Sequence, residues 1–577
     1  MKLPGPLRRL ARKARQSAGG RPARAGAAVP NVRPLEPAPE LAPFPKAKYL
    51  YAVNAIPRNY AGRSASILAK ARILAEQAGV ESTLVTFLHS TELADIEHGL
   101  RERGVIPDGL KFECLHDYYP DDTTWSGPDI TYPLEEPGMH WDKDPDYEIY
   151  RFFDAEGVYR FYKRYDHAGR MIVRDFFNPN RGRTLREEFR TNGTLRRRIH
   201  MDLHFNLPRQ EIHYRADQTP AFNVWWVIDP ETRQRSVERV TEFDHEGRPV
   251  AVHDSLDPIN HLCLDRLIGD DHAFIMCEDR YLDRYLLNYP SPNTKSVYVL
   301  HNAHIKEPYD DIMAIRPGFR PLFEARDRVD GIVFLTATQR AEAEAKYGRT
   351  ESFKVLPHSV RPPVLEPGVE RDPNLVIMMA RLDKQKQVDH ALEAFAQVVK
   401  RLPRARLEIY GRGSDLPALK NLIADLGLKK QVKLMGFTTQ PNLAYQRASL
   451  CIMTSRYEGA PLTLQESMSY GCPVISYDLR YGPADLIEDG VSGLLVPYGD
   501  RRMMAERIVA TLQDPALLQR LSAAASVRAA DFSEEAFAAR WAALFNELDE
   551  KGWGTPVDTP PPAATGQNGV GSGNPPR

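Results

Sequence analysis

The sequence predicts an α/β protein: two Rossmann-like domains, the first interrupted by an antiparallel β-rich insert. Three observations carry that expectation. Short apolar runs alternate with amphipathic helical stretches near the start of the chain, again after residue 273, and through 375–530, as in βαβ units built on parallel sheets. Between about 108 and 250 this pattern gives way to closely spaced hairpin signals. A Pro-rich connector over 357–373 divides the α/β stretches into two domains. A chain of 577 residues exceeds what one hydrophobic core supports, so two or three domains are expected.

Composition removes several function classes. A formal net charge of −1 argues against a generally basic nucleic-acid binder. The five cysteines form no CxxC pair and mostly sit in apolar runs, so they read as buried reduced thiols of a cytosolic protein, and no metal site is expected. No run of about 18 apolar residues is present, so no transmembrane helix is expected. Nine Arg and Lys stand in the first 35 residues without one acid, and no apolar stretch of signal-peptide type follows. That arm, 1–45, reads either as disordered chain or as an electrostatic tether to anionic lipid. The Pro- and Gly-rich segment 553–577 reads as a disordered tail.

Ordered structure is expected to begin with a strand at 48–53. A loop over 54–62 and a helix from Arg63 follow, the helix with Ile67, Ala71, Leu74 and Ala78 on one face. A second strand, 81–87, completes a βαβ opening. Gly62 sits where a backbone could approach a phosphate, yet no GxGxxG is present, which disfavours a nicotinamide dinucleotide fold. The insert, 108–250, repeats an aromatic-Asp-x-x-Gly turn beginning at Phe153, Tyr165 and Phe243, with an Asn192-Gly193 signal between them. Over 158–200 twelve Arg and Lys stand against four acids, a local excess of eight. The excess is either a solvated strand face or a surface that attracts a polyanionic acceptor or a partner.

After the insert, apolar strands at 273–277 and 296–300 lead to His301-Asn302-Ala303-His304, and strand carboxyl ends are where open parallel sheets bind ligands. In the second domain the strand 375–379 ends near Arg381 and Lys386, where a guanidinium and an ammonium could both reach a diphosphate. A helix with Val388, Leu392, Phe395, Val399 and Leu402 on one face follows. Gly411 and Gly413 leave the next strand end open, and Gly436 closes the strand after it.

The stretch 456–478, RYEGAPLTLQESMSYGCPVISYD, organises the rest. A buried strand precedes it, and Pro461 suits the first position of a helix. Glu458 then lies in the strand-to-helix loop and Glu466 about two turns into the helix. Free N–H groups around Leu462, Thr463 and Leu464 would make a helix N-terminus suited to an anion. Carboxylates that accept bonds from hydroxyls beside a backbone that holds phosphate describe a nucleotide-sugar site.

Arg381 with Lys386, Glu458-x7-Glu466, and Cys472-Pro473-Val474-Ile475-Ser476 stand in the order and spacing of the retaining glycosyltransferases of family 4, which the chain resembles. The wording EGAPLTLQESMSYGCPVISYD, followed by YGPADLIEDG, is similar to the poly(glycerol-phosphate) and poly(ribitol-phosphate) glucosyltransferase branch of wall teichoic acid synthesis and the related adhesin Ser/Thr O-GlcNAc transferases. The resemblance implies the GT-B fold, two facing Rossmann-like domains. An acceptor domain would span 46–350, a nucleotide-sugar-binding domain 351–532, and a helix over 533–552 would return to the first domain. Arg381 and Lys386 would neutralise the leaving diphosphate, and Glu466 would bind ribose hydroxyls. Glu458, with the backbone of Gly459, Ala460 and Pro461, would hold the sugar. His304 would lie near the reacting sugar and Gly62 near the diphosphate. Gly411, Gly436, Leu462 and Thr463 complete the expected substrate contacts. Ala380 stands where the family usually has Gly before the Arg, and Gly62 is single where relatives carry a pair.

What the resemblance implies is a metal-independent, retaining hexosyltransferase of the bacterial cell wall, cytoplasmic and peripheral at the inner membrane face. It would use a UDP-sugar as donor substrate with no cofactor, and it would act on a teichoic-acid-type polymer. A protein Ser/Thr acceptor is one alternative, and a catalytically silent sugar-nucleotide-binding partner of a transferase is another. The implied partners are the nucleotide-sugar, a polyanionic or protein acceptor, the membrane through the basic arm, and a second copy through the insert.

Overall fold

The computed structural model describes residues 35–58, 62–121 and 123–554. Most of the basic arm and of the C-terminal tail therefore lies outside the described residues. The described chain divides into two compact units, one over 46–296 with 552–554, the other over 297–551 with 35–45.

In the 46–296 unit, β1 (Lys48–Val53), β2 (Ser82–Thr86), β3 (Leu110–Cys114) and a later strand, Ala273–Cys277, form parallel ladders with β1 at the centre. Helix α1 (Arg63–Ala78) follows β1, capped at its N-terminus by Gly62 with φ +53°. It buries Ile67, Leu68, Ala71 and Leu74, near the face expected from the spacing of its apolar residues. The parallel ladder claims Leu110–Cys114, so the antiparallel insert starts later than the expected residue 108. An alternating five-residue strand looks the same in either sheet, and only its partner decides.

The insert is one ten-stranded antiparallel sheet in sequence order. Its strands are β4 (His140–Lys143), β5 (Ile149–Phe153), β6 (Tyr159–Tyr165), β7 (Met171–Phe177), β8 (Arg183–Phe189), β9 (Leu195–Asp202), β10 (Leu207–Tyr214), β11 (Pro220–Ile228), β12 (Arg235–Phe243) and β13 (Pro249–His253). The repeated turns use one design. Asp154, Asp166 and Asp244 each accept backbone N–H groups two and four residues on, while the second carboxylate oxygen takes an arginine Nε from the outgoing side, Arg160, Arg170 and Arg248. Glycine closes each turn at φ +75°, a value that only glycine holds without strain.

The local excess of positive charge does not survive folding. Ten of the twelve Arg and Lys of 158–200 pair with carboxylates, several from outside that window: Asp117 holds Arg196, Glu136 holds Lys163, and Glu92 holds Arg164. Arg190 instead donates to backbone carbonyls of Leu195, Tyr214 and Arg215. Counting charges along the chain missed acids that neighbouring strands and loops supply. Of the two readings of that excess, neither a plain solvated face nor a free basic surface describes these strands, whose bases form a cross-strand ladder with carboxylates.

The 297–551 unit holds β15 (Thr294–Leu300), where Ala273–Cys277 counts as β14, then β16 (Gly331–Phe334) and β17 (Phe353–Val355), a parallel trio. It also holds a six-stranded parallel sheet. In spatial order this is β20 (Val432–Gly436), β19 (Arg406–Tyr410), β18 (Asp372–Met379), β21 (Ala448–Met453), β22 (Val474–Asp478) and β23 (Gly493–Pro497). Order reverses at β18 and β21, the kind of switch point where doubly wound sheets bind ligands. Helix α2 (Ala337–Tyr347) follows β16, and α3 (Val388–Arg401) follows β18. Val388, Leu392, Phe395 and Val398 of α3 are buried, each contributing roughly 1.5–3 kcal/mol of apolar burial. Helix α4 (Leu462–Ser469) starts one residue later than expected: Pro461 is its N-cap, and Glu466 lies a little over one turn in instead of about two. The last helix, α5 (Glu534–Glu550), packs Phe545 against Phe44 and pairs Glu547 with Lys354 beside β17. All five cysteines are free and buried.

Candidate functional site

The carboxyl ends of β18, β19 and β21 converge. Beyond β18 the chain stays alongside β19's exit, with Ala380 N–H donating to Tyr410 O at 3.0 Å and Leu382 N–H to Arg412 O at 2.9 Å. That close approach explains the glycines. A Cβ at Gly411 would collide with the Ala380 carbonyl, and one at Gly413 with the Leu382 carbonyl. Gly411 N–H donates to Gly436 O at 2.8 Å, so both expected glycines meet beside Arg381's loop.

A second set of bonds ties the 381–387 loop to the 454–458 loop. Asp383 Oδ1 accepts the N–H groups of Gln385 and Lys386 at 3.1 and 3.3 Å, an Asx-type turn. Gln385 Nε2 donates to Tyr457 O at 3.0 Å, Arg456 N–H donates to Gln385 O at 2.7 Å, and the Thr454 hydroxyl reaches Lys386 O and Gln387 O. The consequence is that Lys386 Nζ stands 2.6 Å from Glu458 Oε1, with both side chains largely buried. Arg381 is different. Its side chain is 65 % exposed, held by Asp383 Oδ2 at 2.8 Å and by Gln385 Oε1 at 2.9 Å.

Glu458 connects in turn to the end of β15. Its N–H donates to Arg480 O and its carbonyl accepts from Tyr481 N–H. Gly459 lies so close to the His301 carbonyl that a Cβ there would clash. The ring of Tyr481 stacks on His304, centroids 5.5 Å apart and 5° between planes. Glu342 of α2, fully buried, receives Arg480 Nε at 2.5 Å and the Tyr481 hydroxyl at 2.5 Å. His304 is fully buried, and burial together with the nearby Arg480 and Lys346 cations pushes its pKa down to about 3, so it is neutral. In α4, Leu462 and Thr463 open the helix without a side-chain cap, and Tyr445 donates its hydroxyl to Glu466 Oε2 at 2.8 Å. Burial raises the Glu466 carboxyl above its usual range.

Arg381, Lys386, Gly411, Gly436, Glu458 through Thr463, Glu466 and His304 thus all belong to the 297–551 unit, where Lys386, Glu458 and His304 are joined through Tyr481. Gly62 lies in the other unit, as the cap of α1. Reading the sequence missed Asp383, Gln385, Gln339, Glu342, Tyr445 and Arg480. The sequence carries no motif that singles out these six residues; the YGP triplet at Tyr481 is the signal beside Arg480. Chemically, the Lys386–Glu458 pair can open outward, its ammonium to a phosphate and its carboxylate to hydroxyls. Among the described residues no group of three or more His, Cys, Asp and Glu could hold a metal ion.

Residues 366–528 match the family described as Glycosyl transferases group 1. The chain is 25 % identical over 521 residues, 88 % of its length and 76 % of the relative's, to the poly(glycerol-phosphate) alpha-glucosyltransferase of Bacillus subtilis (strain 168). Its structure is similar to the crystal structure of TarM, with a TM-score of 0.71 at 22 % identity, covering 87 % of this chain and 99 % of that one. The pneumococcal O-GlcNAc transferase GtfA in complex with UDP and GlcNAc is also similar, with a TM-score of 0.59 at 18 % identity over 87 % of this chain and 99 % of that one. These likenesses show the GT-B fold.

Proposed function

We propose that this chain, with its glycosyl transferases group 1 domain on a GT-B fold, is a retaining transferase that moves a hexose, glucose or GlcNAc, from a UDP-sugar to a polyol-phosphate polymer of teichoic acid type. The observation that carries the reading is the Lys386–Glu458 pair at the carboxyl ends of β18 and β21, joined through Tyr481 to a buried neutral His304. A cation for phosphate, a carboxylate for sugar hydroxyls and an uncharged imidazole answer the parts of a nucleotide-sugar in turn.

In this mechanism the UDP diphosphate draws Lys386 away from Glu458 and Arg381 away from Asp383. The N–H groups of Leu462 and Thr463 add the positive end of α4. As the bond from the anomeric carbon to the diphosphate breaks, negative charge grows on the leaving oxygen, and each fixed donor there contributes roughly 3 kcal/mol to the transition state. Glu458, released from Lys386, accepts the sugar hydroxyls, and Glu466 takes the ribose. The acceptor hydroxyl attacks on the face the diphosphate leaves, and that phosphate takes its proton, so configuration is retained.

The acceptor rests on the similarity to a poly(glycerol-phosphate) transferase. Similarity to GtfA supports the second reading, transfer to protein Ser or Thr. A silent partner would be expected to lack one of Arg381, Lys386, Glu458 or Glu466, and all four are present. In our reading the enzyme works in the cytoplasm at the inner membrane face, touching lipid through its basic arm and self-associating through the insert. No helix among the described residues is long and apolar enough to cross a membrane. The test incubates purified protein with radiolabelled UDP-sugars, with and without a teichoic acid polymer. UDP release that depends on the polymer, with label entering it, is the expected result. Label entering a Ser/Thr-rich peptide instead would select the second reading, and no transfer to either would reject both.

A further inference from the structure

His304 is a fully enclosed polar group of the site, and its hydrogen-bond neighbours specify which of its nitrogens carries the proton. Asn302 follows β15 and turns its carbonyl toward α2, where it accepts from Gln339 Nε2 at 2.9 Å. A backbone carbonyl only accepts, so this bond fixes the orientation of the Gln339 amide. The same Nε2 lies 3.4 Å from His304 Nδ1. An amide nitrogen cannot accept a hydrogen bond, so Nδ1 must present its lone pair and the ring proton sits on Nε2. Nε2 is buried and finds no hydrogen-bond partner among the described residues. Buried donors are rarely left unpaired, and those that are call for an explanation.

We propose that Gln339 is a positioning residue for the transfer reaction: it holds His304 as the Nε2–H tautomer, so that a neutral imidazole N–H is offered to a hydroxyl of the donor sugar. Three contacts fix the ring that Gln339 orients. Tyr481 stacks on one face at 5.5 Å, Phe323 meets it edge-on at 5.4 Å, and Gln339 closes the Nδ1 side. Glu342, three residues after Gln339 on α2 and so on the same side of the helix, anchors Tyr481 through its hydroxyl. One helix therefore sets both the height of the ring, through Tyr481, and its tautomer, through Gln339. Burial first, and then the nearby Arg480 and Lys346 cations, disfavour a second proton, which keeps the group a donor at one nitrogen only. A hydroxyl that accepts from Nε2–H must turn its own proton elsewhere, and in the proposed site the carboxylate acceptor is Glu458.

The inference rests on the transferase reading for its substrate, but its core is a protonation state that can be read without activity. The full-length protein, labelled with 15N-histidine, is compared with the same preparation of His304→Ala to assign the ring. The expected spectrum shows Nε2 as the protonated, pyrrole-like nitrogen and Nδ1 as the bare one. A protonated Nδ1 would overturn the assignment whether or not any sugar is transferred. Gln339→Met removes the donor while keeping the side-chain length. A mixed tautomer population with kcat reduced about tenfold, the KM for the UDP-sugar nearly unchanged and the melting temperature retained is the expected outcome. Full turnover by Gln339→Met would sink the proposal, and so would equal losses of kcat and melting temperature, since a purely structural residue would give those. If the unaltered enzyme moved no sugar at all, the tautomer spectrum would still stand or fall alone, which separates failure of this inference from failure of the function it serves.

Discussion

Cations and carboxylates meet in two regions of this protein, and the pairs are built differently. In the middle strands of the insert charges are shared: Glu187 receives Arg174 and Arg198, Asp175 receives Arg183 and Arg186, and Arg197 bridges Glu188 and Glu211. In such a ladder a charge that loses one partner keeps another. At the ends of β18 and β21 the pairs are single. Lys386 has Glu458, and Arg381 has Asp383 with one amide from Gln385. A diphosphate could take the cation of a single pair, and the carboxylate left behind, here Glu458, would then need the donor's hydroxyls as its new partners. Between these two networks the stoichiometry of pairing differs more than the density of charge.

The strongest way to break the comparison is Lys386→Ala. Loss of a fixed cation from the leaving-group side should reduce kcat by about a thousandfold while the protein still folds, measured as label transferred at saturating UDP-sugar with circular dichroism as the control. Near-normal turnover would mean that the Lys386–Glu458 pair is structural, like those of the insert. Second in size is Glu188→Gln. Glu188 is buried against Arg197 and 3.3 Å from His89, so losing its charge should cost roughly 3 kcal/mol of stability in urea unfolding, with UDP affinity untouched. A fall in UDP affinity as large as the loss of stability would show that the two networks are not separate.

The difference between the regions also marks what could be read from the sequence. Strand carboxyl ends are legible wherever an apolar run meets polar residues, and on that rule Arg381, Lys386, Glu458 and His304 stand where the strands stop. The parallel strands and the Asp-x-x-Gly hairpins were legible for the same local reason. Pairing was not. Glu136 lies far in sequence from Lys163, and only the packing of the insert joins them. Gln339 and Glu342 look like an exposed helix face because the Asn302 carbonyl, His304 and Arg480 that they meet arrive from distant segments. Pro461 was expected at the first position of its helix and stands one residue earlier, as the N-cap, a boundary that only the backbone decides.

A third expected effect is of intermediate size and concerns acid. His116 Nε2 donates to Asn260 Oδ1 with 3.0 Å between the atoms, and burial, with Arg196 and Arg197 nearby, pushes its pKa down to about 4. The unfolded chain binds a proton near the ordinary histidine value, about 6.5, and the folded chain does not until about pH 4. Stability from this group is therefore complete above pH 6.5 and lost as pH falls toward 4, by about 2 kcal/mol between pH 7 and pH 5. His89 and His213 are shifted the same way, chiefly by burial, and add to the slope. Urea midpoints at the two pH values should show the drop, and His116→Gln should flatten it. A midpoint independent of pH in the unaltered protein would contradict the neutral histidine cluster.

The smallest effect gives the finest discrimination. Asp383→Asn keeps the Oδ1 acceptor for the N–H groups of Gln385 and Lys386, so the turn that sets the loop survives, while the oxygen that holds Arg381 becomes an amide. Arg381 is largely exposed, so its pair with Asp383 is worth no more than about 1 kcal/mol. If that pair must open before a diphosphate can bind, freeing Arg381 should tighten UDP binding by about two- to fivefold in calorimetry. In an Arg381→Ala background the same change should do nothing, because the cation it releases is gone. Weaker binding by Asp383→Asn would mean that Asp383 presents Arg381 to the ligand instead of competing for it. The Arg381 pair would then belong with the multivalent pairs of the insert, as a structural contact that happens to lie beside a site.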